Sequence, residues 1–240
     1  MGMKKWIVVL TAVLVFFGGI AAFLVYDGVI WFVNPENKGY TVKGIDVARY
    51  QGAIDWATIA AQGIRFSFAK ATEGSSYADP TFEANITTPR EHGVAVGAYH
   101  FFSSESAGET QAANFIETIS PYAMDLPPVL DFEIPKTTEN KDEVIAEAHV
   151  FLQAVEAHFG RLPIIYTTYE SYEAFLTDGF EAYPLWFRDL LKEPQVDGRE
   201  WVFWQYCNRG RLDGIDEAQR YVDLNVFCGS AEEFEQYVVQ

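Results

Sequence analysis

The sequence predicts an α/β protein with a mainly parallel sheet, preceded by one membrane-spanning helix. Beyond residue 40, short apolar strands alternate with helices at spacings typical of a parallel barrel or a doubly wound sheet. Residues 94–102 are so apolar that both faces of that strand are expected to be buried. Ahead of residue 40, residues 6–26 carry no charge and are long enough to cross a bilayer.

Composition limits the possible functions. The chain has 240 residues, 49% of them hydrophobic, which favours one compact domain with a sizeable core. Its net charge of −17 argues against a nucleic-acid partner, because phosphate binding needs a basic face. Cys207 and Cys228 are too few for a disulfide scaffold, and either one disulfide or two free thiols is compatible with the sequence. We expect a monomer.

The residues at the amino terminus indicate a membrane anchor. Lys4 and Lys5 precede the apolar stretch and favour a cytoplasmic start, so the rest of the chain should face outward. A cleaved signal peptide usually has an apolar region of about 7 to 15 residues followed by small residues. Here Ala21 and Ala22 are followed by more apolar chain, so we expect an uncleaved anchor; cleavage would give a secreted protein. The expected division is 1–5 cytoplasmic, 6–26 transmembrane, 27–39 linker and 40–240 main domain.

The first half of the main domain shows regular start and stop signals. A strand at 44–47 leads to Asp55, which is placed to cap a short helix at 56–62 before Gly63 ends it. A second strand follows at 64–71. A helix at 79–92 ends at Gly93, and the third strand, at 94–102, comes next.

The second half starts with regular alternation and then loses its helices. A helix at 107–119 precedes the fourth strand, at 129–133, which is entered after two prolines. The longest helix, 140–159, keeps one apolar stripe with a 3.6-residue period and ends at Gly160. Further elements are a strand at 163–168, a helix at 169–176, and strands at 184–187, 201–206 and 222–227.

Two carboxylates end the fourth strand. Side chains alternate along a strand, so Asp131 and Glu133 project from the same face, about 7 Å apart. Each charge raises the pKa of the other, an arrangement suited to a site that needs one protonated and one ionised acid. An isolated Asp-x-Glu is also typical of a solvated strand end, so the surrounding residues decide between these interpretations.

Acids and aromatic residues recur near the ends of the other strands. In a parallel barrel, several strands supply the functional groups from their carboxyl ends. The further acids are Asp46, Glu73 and Asp223, and the aromatic or ring-bearing residues are Tyr50, Tyr99, His100, Phe101, Tyr166, Trp186, Trp204 and Tyr206. Aromatic rings that stack on sugars, next to carboxylates, favour a carbohydrate-binding cleft. Each aromatic alone is also compatible with core packing, and Glu73 with a salt bridge to Lys70.

Seven segments resemble, in order, the motifs of the glycoside hydrolase family 25 lysozymes, the Chalaropsis-type N-acetylmuramidases. They lie at residues 44–52, 70–74, 97–101, 130–133, 165–167, 203–206 and 222–225. The resemblance covers about residues 40 to 230. Because the segments occur in the same order as in the family, the signal is more specific than any one of them.

The resemblance implies a fold and an activity. The fold would be an irregular, TIM-like (β/α)5(β)3 barrel, and the reaction would cut the β-1,4 bond between N-acetylmuramic acid and N-acetylglucosamine in bacterial peptidoglycan. Glu133 corresponds to the general acid, Asp131 to the carboxylate that assists the charged intermediate, and Asp46 and Asp223 to the other two acids. The expected substrate-binding residues are Tyr50, Glu73, Tyr99, Tyr166, Trp186, Trp204 and Gln205. No metal or cofactor is expected.

Two residues depart from the family pattern. Ala48 stands where the family usually has serine, so a hydrogen bond near Asp46 is in question. Arg49 stands where histidine is more usual, and its charge could adjust recognition of a charged wall polymer.

The second carboxylate allows two mechanisms. A carboxylate about 5 to 5.5 Å from Glu133 could attack the sugar directly. Otherwise the substrate's 2-acetamido group attacks while Asp131 orients it; we favour this second route, with retention of configuration, because Asp131 neighbours the acid on one strand.

Three other classes of protein were weighed. A metal-dependent deacetylase needs converging ligands, but only His100 of the four histidines lies at a strand end. A serine hydrolase would need a Gly-x-Ser-x-Gly elbow, which is absent from the sequence. The serious alternative is a catalytically inactive protein that binds cell-wall glycan on the same fold.

Overall fold

A computed structural model of the chain describes residues 2–196, 198–216, 219 and 221–239. The amino-terminal helix α1 covers Met3–Tyr26. Its stretch Lys5–Tyr26 has a mean hydropathy of 2.8 and its most apolar part is not buried in the rest of the structure, so its length and composition fit a membrane span.

Eight strands close into a barrel. The strands of the sheet are β1 (Lys43–Val47), β2 (Ile64–Glu73), β3 (Tyr77–Ala78), β4 (Ala95–Phe101), β5 (Val129–Phe132), β6 (Ile164–Thr167), β7 (Leu185–Arg188), β8 (Trp201–Gly210) and β9 (Val222–Phe227). Pairing of β1 with β2 closes the barrel, whereas β3 is a short addition at the carboxyl end of β2. The first seven barrel strands are mutually parallel, and β9 runs antiparallel to both β8 and β1. The predicted irregular barrel and its eight strands are confirmed.

Helices cover the outside of the barrel. They are α2 (Trp56–Ala61), α3 (Phe82–Glu91), α4 (Gly108–Ile119), α5 (Lys141–Phe159), α6 (Tyr169–Ser171) and α7 (Ala231–Val239). The Asp55 carboxylate accepts a hydrogen bond from the Thr58 amide, as a capping residue should. A π-helical turn, Tyr172–Leu176, extends α6, so the predicted helix at 169–176 is present with mixed geometry. The carboxyl-terminal helix α7 was not predicted.

Aromatic side chains fill the barrel interior. Phe66 and Phe68 on β2 are fully buried, and the Phe68 ring stacks on Trp186 with centroids 4.6 Å apart. Glycine makes room for them, because a Cβ at Gly44 would lie 2.2 Å from the Phe66 ring. Phe234 of α7 packs in the same cluster. The interior is therefore a packed core, and an open cleft can form only at one end of the barrel.

Two features differ in detail from the sequence-based expectation. Residues 27–39, predicted as a linker, include a short 3-10 helix, Pro35–Lys38, and contact the barrel: the Trp31 indole donates a hydrogen bond to the Tyr206 carbonyl at 2.6 Å. Cys207 is buried and Cys228 is exposed, and both are free thiols. The alternative of a disulfide between them is therefore excluded.

Candidate active site

The barrel topology brings the predicted acids to one end. Asp46 lies near the carboxyl end of β1, Asp131 on β5, and Glu133 one residue beyond β5. Asp223 lies near the amino end of β9, but β9 is antiparallel, so this end meets the carboxyl ends of the other strands. Asp46 and Asp223 are consequently directly paired across β1 and β9.

These four acids line a cleft of about 400 Å³. The other lining residues are Tyr50, Lys70, Glu73, Tyr99, Phe101, Tyr166, Trp186, Arg188 and Gln205. Ten of the eleven predicted site residues therefore face one opening, although they come from all eight barrel strands and their connections. The lining residue Trp186 stacks on Phe68 and so joins the cleft to the packed core.

The two acids of the fourth barrel strand have different surroundings. Asp131 is only 8% exposed, and its Oδ1 atom is buried without a hydrogen-bond partner among the described residues. Glu133 is more open and forms an ion pair with Arg188, with 2.9 Å between Oε1 and Nη1. A buried carboxyl oxygen without a partner is costly, which suits an atom that bonds to substrate.

Burial raises the pKa values of both acids. The pKa of Asp131 lies well above its usual range because of burial first, and then because of the negative charges of Glu133 and Asp46. Burial and Asp46 also raise the pKa of Glu133, while Arg188 opposes this effect. The net direction for Glu133 is upward, as a proton donor requires.

Asp46 is held by a hydrogen-bond network on both sides. Its Oδ2 atom accepts hydrogen bonds from Gln205 Nε2 at 2.9 Å and from Asn225 Nδ2 at 2.8 Å. The Tyr166 hydroxyl donates to Gln205 Oε1, and the Trp186 indole donates to Asn225 Oδ1, each at 2.8 Å. These two donors fix the amide orientations, so both amides present N–H groups to Asp46.

The paired acids Asp46 and Asp223 are joined by a side-chain hydrogen bond. Burial raises the pKa of both, and the charge of Asp46 raises that of Asp223 further. Asp46 also accepts two amide hydrogen bonds, which favour its ionised form. The surroundings therefore favour the charged form more at Asp46 than at Asp223.

The comparison with protein families agrees with this geometry. The model of the family described as Glycosyl hydrolases family 25 matches residues 45–215. The chain belongs to family 25 of the glycosyl hydrolases. As a family 25 member, it is a glycoside hydrolase of the lysozyme type.

Individual relatives of this family 25 chain cover most of it. Uncharacterized protein YegX of Escherichia coli (strain K12) is 40% identical over 205 residues, spanning 83% of this chain and 74% of the relative. Lysozyme M1 of Streptomyces globisporus is 34% identical over 209 residues, spanning 79% and 69%. A solved family 25 glycosyl hydrolase from Bacillus anthracis superposes with a TM-score of 0.77 at 42% identity, covering 83% of this chain and 94% of that one.

Rim residues surround the family 25 cleft. Tyr50 is 58% exposed and lies under the Arg49 guanidinium, 4.9 Å from its ring centroid. Glu73 bonds to Lys70 at 2.6 Å, so the salt-bridge interpretation and the cleft position both hold for Glu73. Burial, with help from Asp46 and Asp131, raises the pKa of Tyr99 well above its ordinary value, so its hydroxyl remains a donor.

Trp204 does not reach the cleft. It is fully buried, and its indole donates a hydrogen bond to the Asp189 carbonyl at 2.8 Å. Neighbouring residues on a strand face opposite sides, so Gln205 points into the barrel and Trp204 points outward. The expectation that Trp204 binds substrate is therefore corrected.

His100 also lies outside the cleft. Its ring nitrogens are within hydrogen-bonding distance of Thr72 Oγ1 (2.7 Å) and Gln111 Oε1 (3.1 Å), and the ring stacks on Phe151. Burial lowers its pKa to about 4. Among the described residues, no group of three or more His, Cys, Asp or Glu is arranged to hold a metal ion.

Two residues that contact the predicted acids, Arg188 and Asn225, were not predicted from the sequence. Arg188, the ion-pair partner of Glu133, ends β7, and a charged residue at the carboxyl end of a barrel strand was a usable signal. Asn225 lies two residues after Asp223 and was quoted within a motif, but its position on the same strand face was not used. The same-face rule that selected Glu133 would have found it.

The structure shows how Asp46 is held although residue 48 is alanine and not serine. The Ala48 side chain is buried and offers no hydrogen bond, but Gln205 and Asn225 already hold Asp46. The position of Asp46 therefore does not depend on a serine at residue 48.

Proposed function

We propose that the chain hydrolyses the β-1,4 bond between N-acetylmuramic acid and N-acetylglucosamine in bacterial peptidoglycan. The observation that carries this proposal is the convergence of Asp46, Asp131, Glu133 and Asp223 on one open cleft. Relatives named lysozyme support the same substrate class.

Glu133 is the proposed general acid. It is half-buried at the cleft, its pKa is raised, and it lies within reach of solvent for reprotonation. In the first step the Glu133 carboxyl donates its proton to the O4 atom of N-acetylglucosamine as the bond to C1 of N-acetylmuramic acid breaks. The resulting carboxylate remains near Arg188, which stabilises the new negative charge.

Asp131 is proposed to assist the substrate's acetamido group. The acetamido carbonyl oxygen attacks C1, forming an oxazolinium ion, while the N–H donates a hydrogen bond to the unpaired Asp131 oxygen. Such a hydrogen bond favours the ionised form of Asp131, so substrate binding would release the proton held in the empty cleft. Water then attacks C1 as the bond from C1 to the oxazolinium oxygen breaks, which restores the acetamido group; Glu133 takes a proton from the water, and the configuration is retained.

Asp46, with Asp223 as its hydrogen-bond partner, is proposed to supply negative potential to the reacting ring. The transition state resembles an oxocarbenium ion, and fixed acceptors stabilise its positive charge without reorganising. The network of Gln205 and Asn225 keeps Asp46 fixed for this role. The aromatic side chains Tyr99 and Tyr166 and the exposed ring of Tyr50 complete the sugar-binding surface.

The proposed location is outside the cytoplasm, with residues 6–26 retained as an anchor. The 22-residue apolar helix supports a membrane association but fits a cleaved signal peptide as well. The mass of the mature protein isolated from membranes distinguishes these: the anchor predicts that residues 6–26 are present.

The reaction is tested by incubating the purified full-length chain, in detergent, with peptidoglycan and identifying the new reducing sugar after borohydride reduction. We expect reduced N-acetylmuramic acid. Reduced N-acetylglucosamine would overturn the bond assignment. Wall binding without any new reducing end would favour the alternative, an inactive glycan-binding protein.

A further inference from the structure

The segment between α1 and β1 joins opposite ends of the barrel. We call residues 27–42 the strap. β1 begins at Lys43, at the end of the barrel away from the cleft. A simple linker would leave α1 near that end, with the cleft directed away from it.

The structure instead fixes the end of α1 beside the cleft. The Tyr26 carbonyl accepts a hydrogen bond from Arg209 Nη1 at 2.7 Å, and the Arg209 guanidinium lies 4.5 Å from the Tyr26 ring centroid. Asp27 forms an ion pair with Arg211 at 2.5 Å. The Tyr221 hydroxyl lies 3.4 Å from the Tyr26 carbonyl.

These contacts belong to the cleft end of the barrel. Gln205 pairs with Asn225 at the level of the acids, and the β8–β9 ladder continues outward to the pair of Gly210 and Val222. Tyr221 precedes the cleft residue Asp223 by two positions. The end of α1 is therefore attached to a hairpin that rises next to the cleft.

The strap then runs down the outside of β8. Trp31 bonds to the Tyr206 carbonyl at 2.6 Å, and farther along, Lys38 and the Tyr40 hydroxyl bond to Glu193 at 2.9 and 2.7 Å. The Tyr40 ring packs against Trp201, at the start of β8, with centroids 5.0 Å apart. These contacts lie along the whole height of the barrel, so the strap is fixed at several points.

The upper part of the strap exposes apolar side chains. Val29, Ile30 and Phe32 are 55%, 45% and 58% exposed, although they immediately follow an apolar helix. Aromatic residues such as Tyr26 and Trp31 are typical of the bilayer interface. Continuity with α1 identifies the surface that covers these side chains as the bilayer that α1 enters.

We propose that residues 26–33 contact the outer leaflet and that the strap holds the barrel with its cleft end toward the membrane. This inference rests on the proposed function. The substrate would then be glycan close to the membrane surface, rather than strands in more distant layers of the wall.

Energy transfer in vesicles tests the orientation. The full chain, with Cys228→Ser to remove the exposed thiol, is placed in vesicles of phosphatidylethanolamine and phosphatidylglycerol that carry an acceptor dye. A donor is attached either at Ser75→Cys, in the turn after β2 at the cleft end, or at Glu91→Cys, before β4 at the opposite end. We expect clearly more efficient transfer from position 75 than from position 91.

A strap variant is the matched control. Trp31→Ala combined with Arg209→Ala removes the contact of Trp31 with Tyr206 and the contact of Arg209 with Tyr26 at the end of α1. No cleft residue is changed, so the difference in transfer between the two label positions should shrink. Equal transfer from both positions in the unaltered strap, or stronger transfer from position 91, would overturn the inference. A mature chain that lacks residues 1–26 would overturn it as well.

Hydrolysis of soluble glycan fragments distinguishes a failure of the proposed orientation from a failure of the proposed function. If the labelled proteins cut these fragments but show no difference in transfer, only the orientation is wrong. If no fragment is cut by any protein, the proposed function is wrong. The strap variant should cut soluble fragments within about twofold of the rate of its parent.

Discussion

The Arg188 guanidinium lies 2.9 Å from the Glu133 carboxylate at the mouth of the cleft. The pair is only partly exposed, with 36% of the Arg188 and 25% of the Glu133 side chain open to solvent. Burial favours the protonated form of Glu133, while Arg188 favours the ionised form. In the proposed mechanism, this ion pair sets the pH range in which Glu133 acts as the acid.

Replacing Arg188 should shift the pH dependence of the reaction. Arg188→Gln removes the opposing positive charge, so the pKa of Glu133 should rise further. The alkaline limb of kcat/KM should therefore move to higher pH, as measured by release of reducing ends. Arg211→Gln, which alters an arginine outside the cleft, is the control and should leave the limb in place. A limb that stays fixed in Arg188→Gln contradicts the assignment of Glu133 as the acid.

Asp131→Asn should reduce the rate more than it reduces binding. An amide occupies nearly the same space but carries no charge to stabilise the developing positive acetamido group. We expect kcat to fall about 10²- to 10³-fold with KM changed by less than about threefold. Steady-state kinetics on soluble glycan oligomers measure both. A rate within threefold of the parent would show that Asp131 does not assist the reaction.

The buried acids should make stability depend on pH in one direction. The pKa values of Asp131 and Asp223 are raised in the folded state, so their contribution to stability is complete below the unfolded pKa of about 3.9 and is lost as pH rises. The double variant Asp131→Asn, Asp223→Asn removes this loss. The difference in Tm between the double variant and the parent should therefore increase between pH 4 and pH 8. The increase should be about 2–4 °C for each kcal/mol of unfolding free energy that the parent loses and the variant keeps.

Thermal unfolding of the parent and the double variant between pH 4 and pH 8 measures the difference in Tm directly. The control Asp178→Asn alters an exposed carboxyl and should change Tm equally at all pH values. A double variant that becomes relatively less stable as pH rises would contradict the raised pKa values.

Arg49 should contribute to recognition of charged substrate. Its guanidinium lies over the Tyr50 ring and borders a second depression of about 480 Å³ next to the cleft. Arg49→Ala should raise KM several-fold for peptidoglycan fragments with peptide carboxylates, and less for neutral N-acetylglucosamine oligomers. The loss should diminish at high salt, because the contact is electrostatic and exposed. Equal effects on both substrates would rule out a charge contact; Arg65→Ala, which alters an exposed arginine paired with Glu235, is the control.

Local patterns predicted much of the fold. Glycine and capping signals placed the helix α2, and apolar runs placed all eight barrel strands. The direction of β9 did not follow from these patterns, because direction depends on which neighbours a strand pairs with. For the same reason, the sequence placed Asp223 at the start of the last strand without explaining how it meets acids at the carboxyl ends of the other strands.

Site residues were predictable where alternation along one strand was enough. Asp131 and Glu133 had to share a face, whatever the rest of the barrel did. Trp204 and Gln205 had to lie on opposite faces, but the sequence alone does not say which face is inside. The structure decides this through the Tyr166 hydroxyl, which holds the inward Gln205 toward Asp46.

Glu133→Gln tests the central claim most directly, by measuring the release of N-acetylmuramic acid reducing ends and wall binding on the same preparations. Glutamine keeps the shape of the side chain but has no proton to give. The account predicts a loss of at least about 10³-fold in rate with wall binding retained. A variant that cuts peptidoglycan within about tenfold of the parent rate would contradict it.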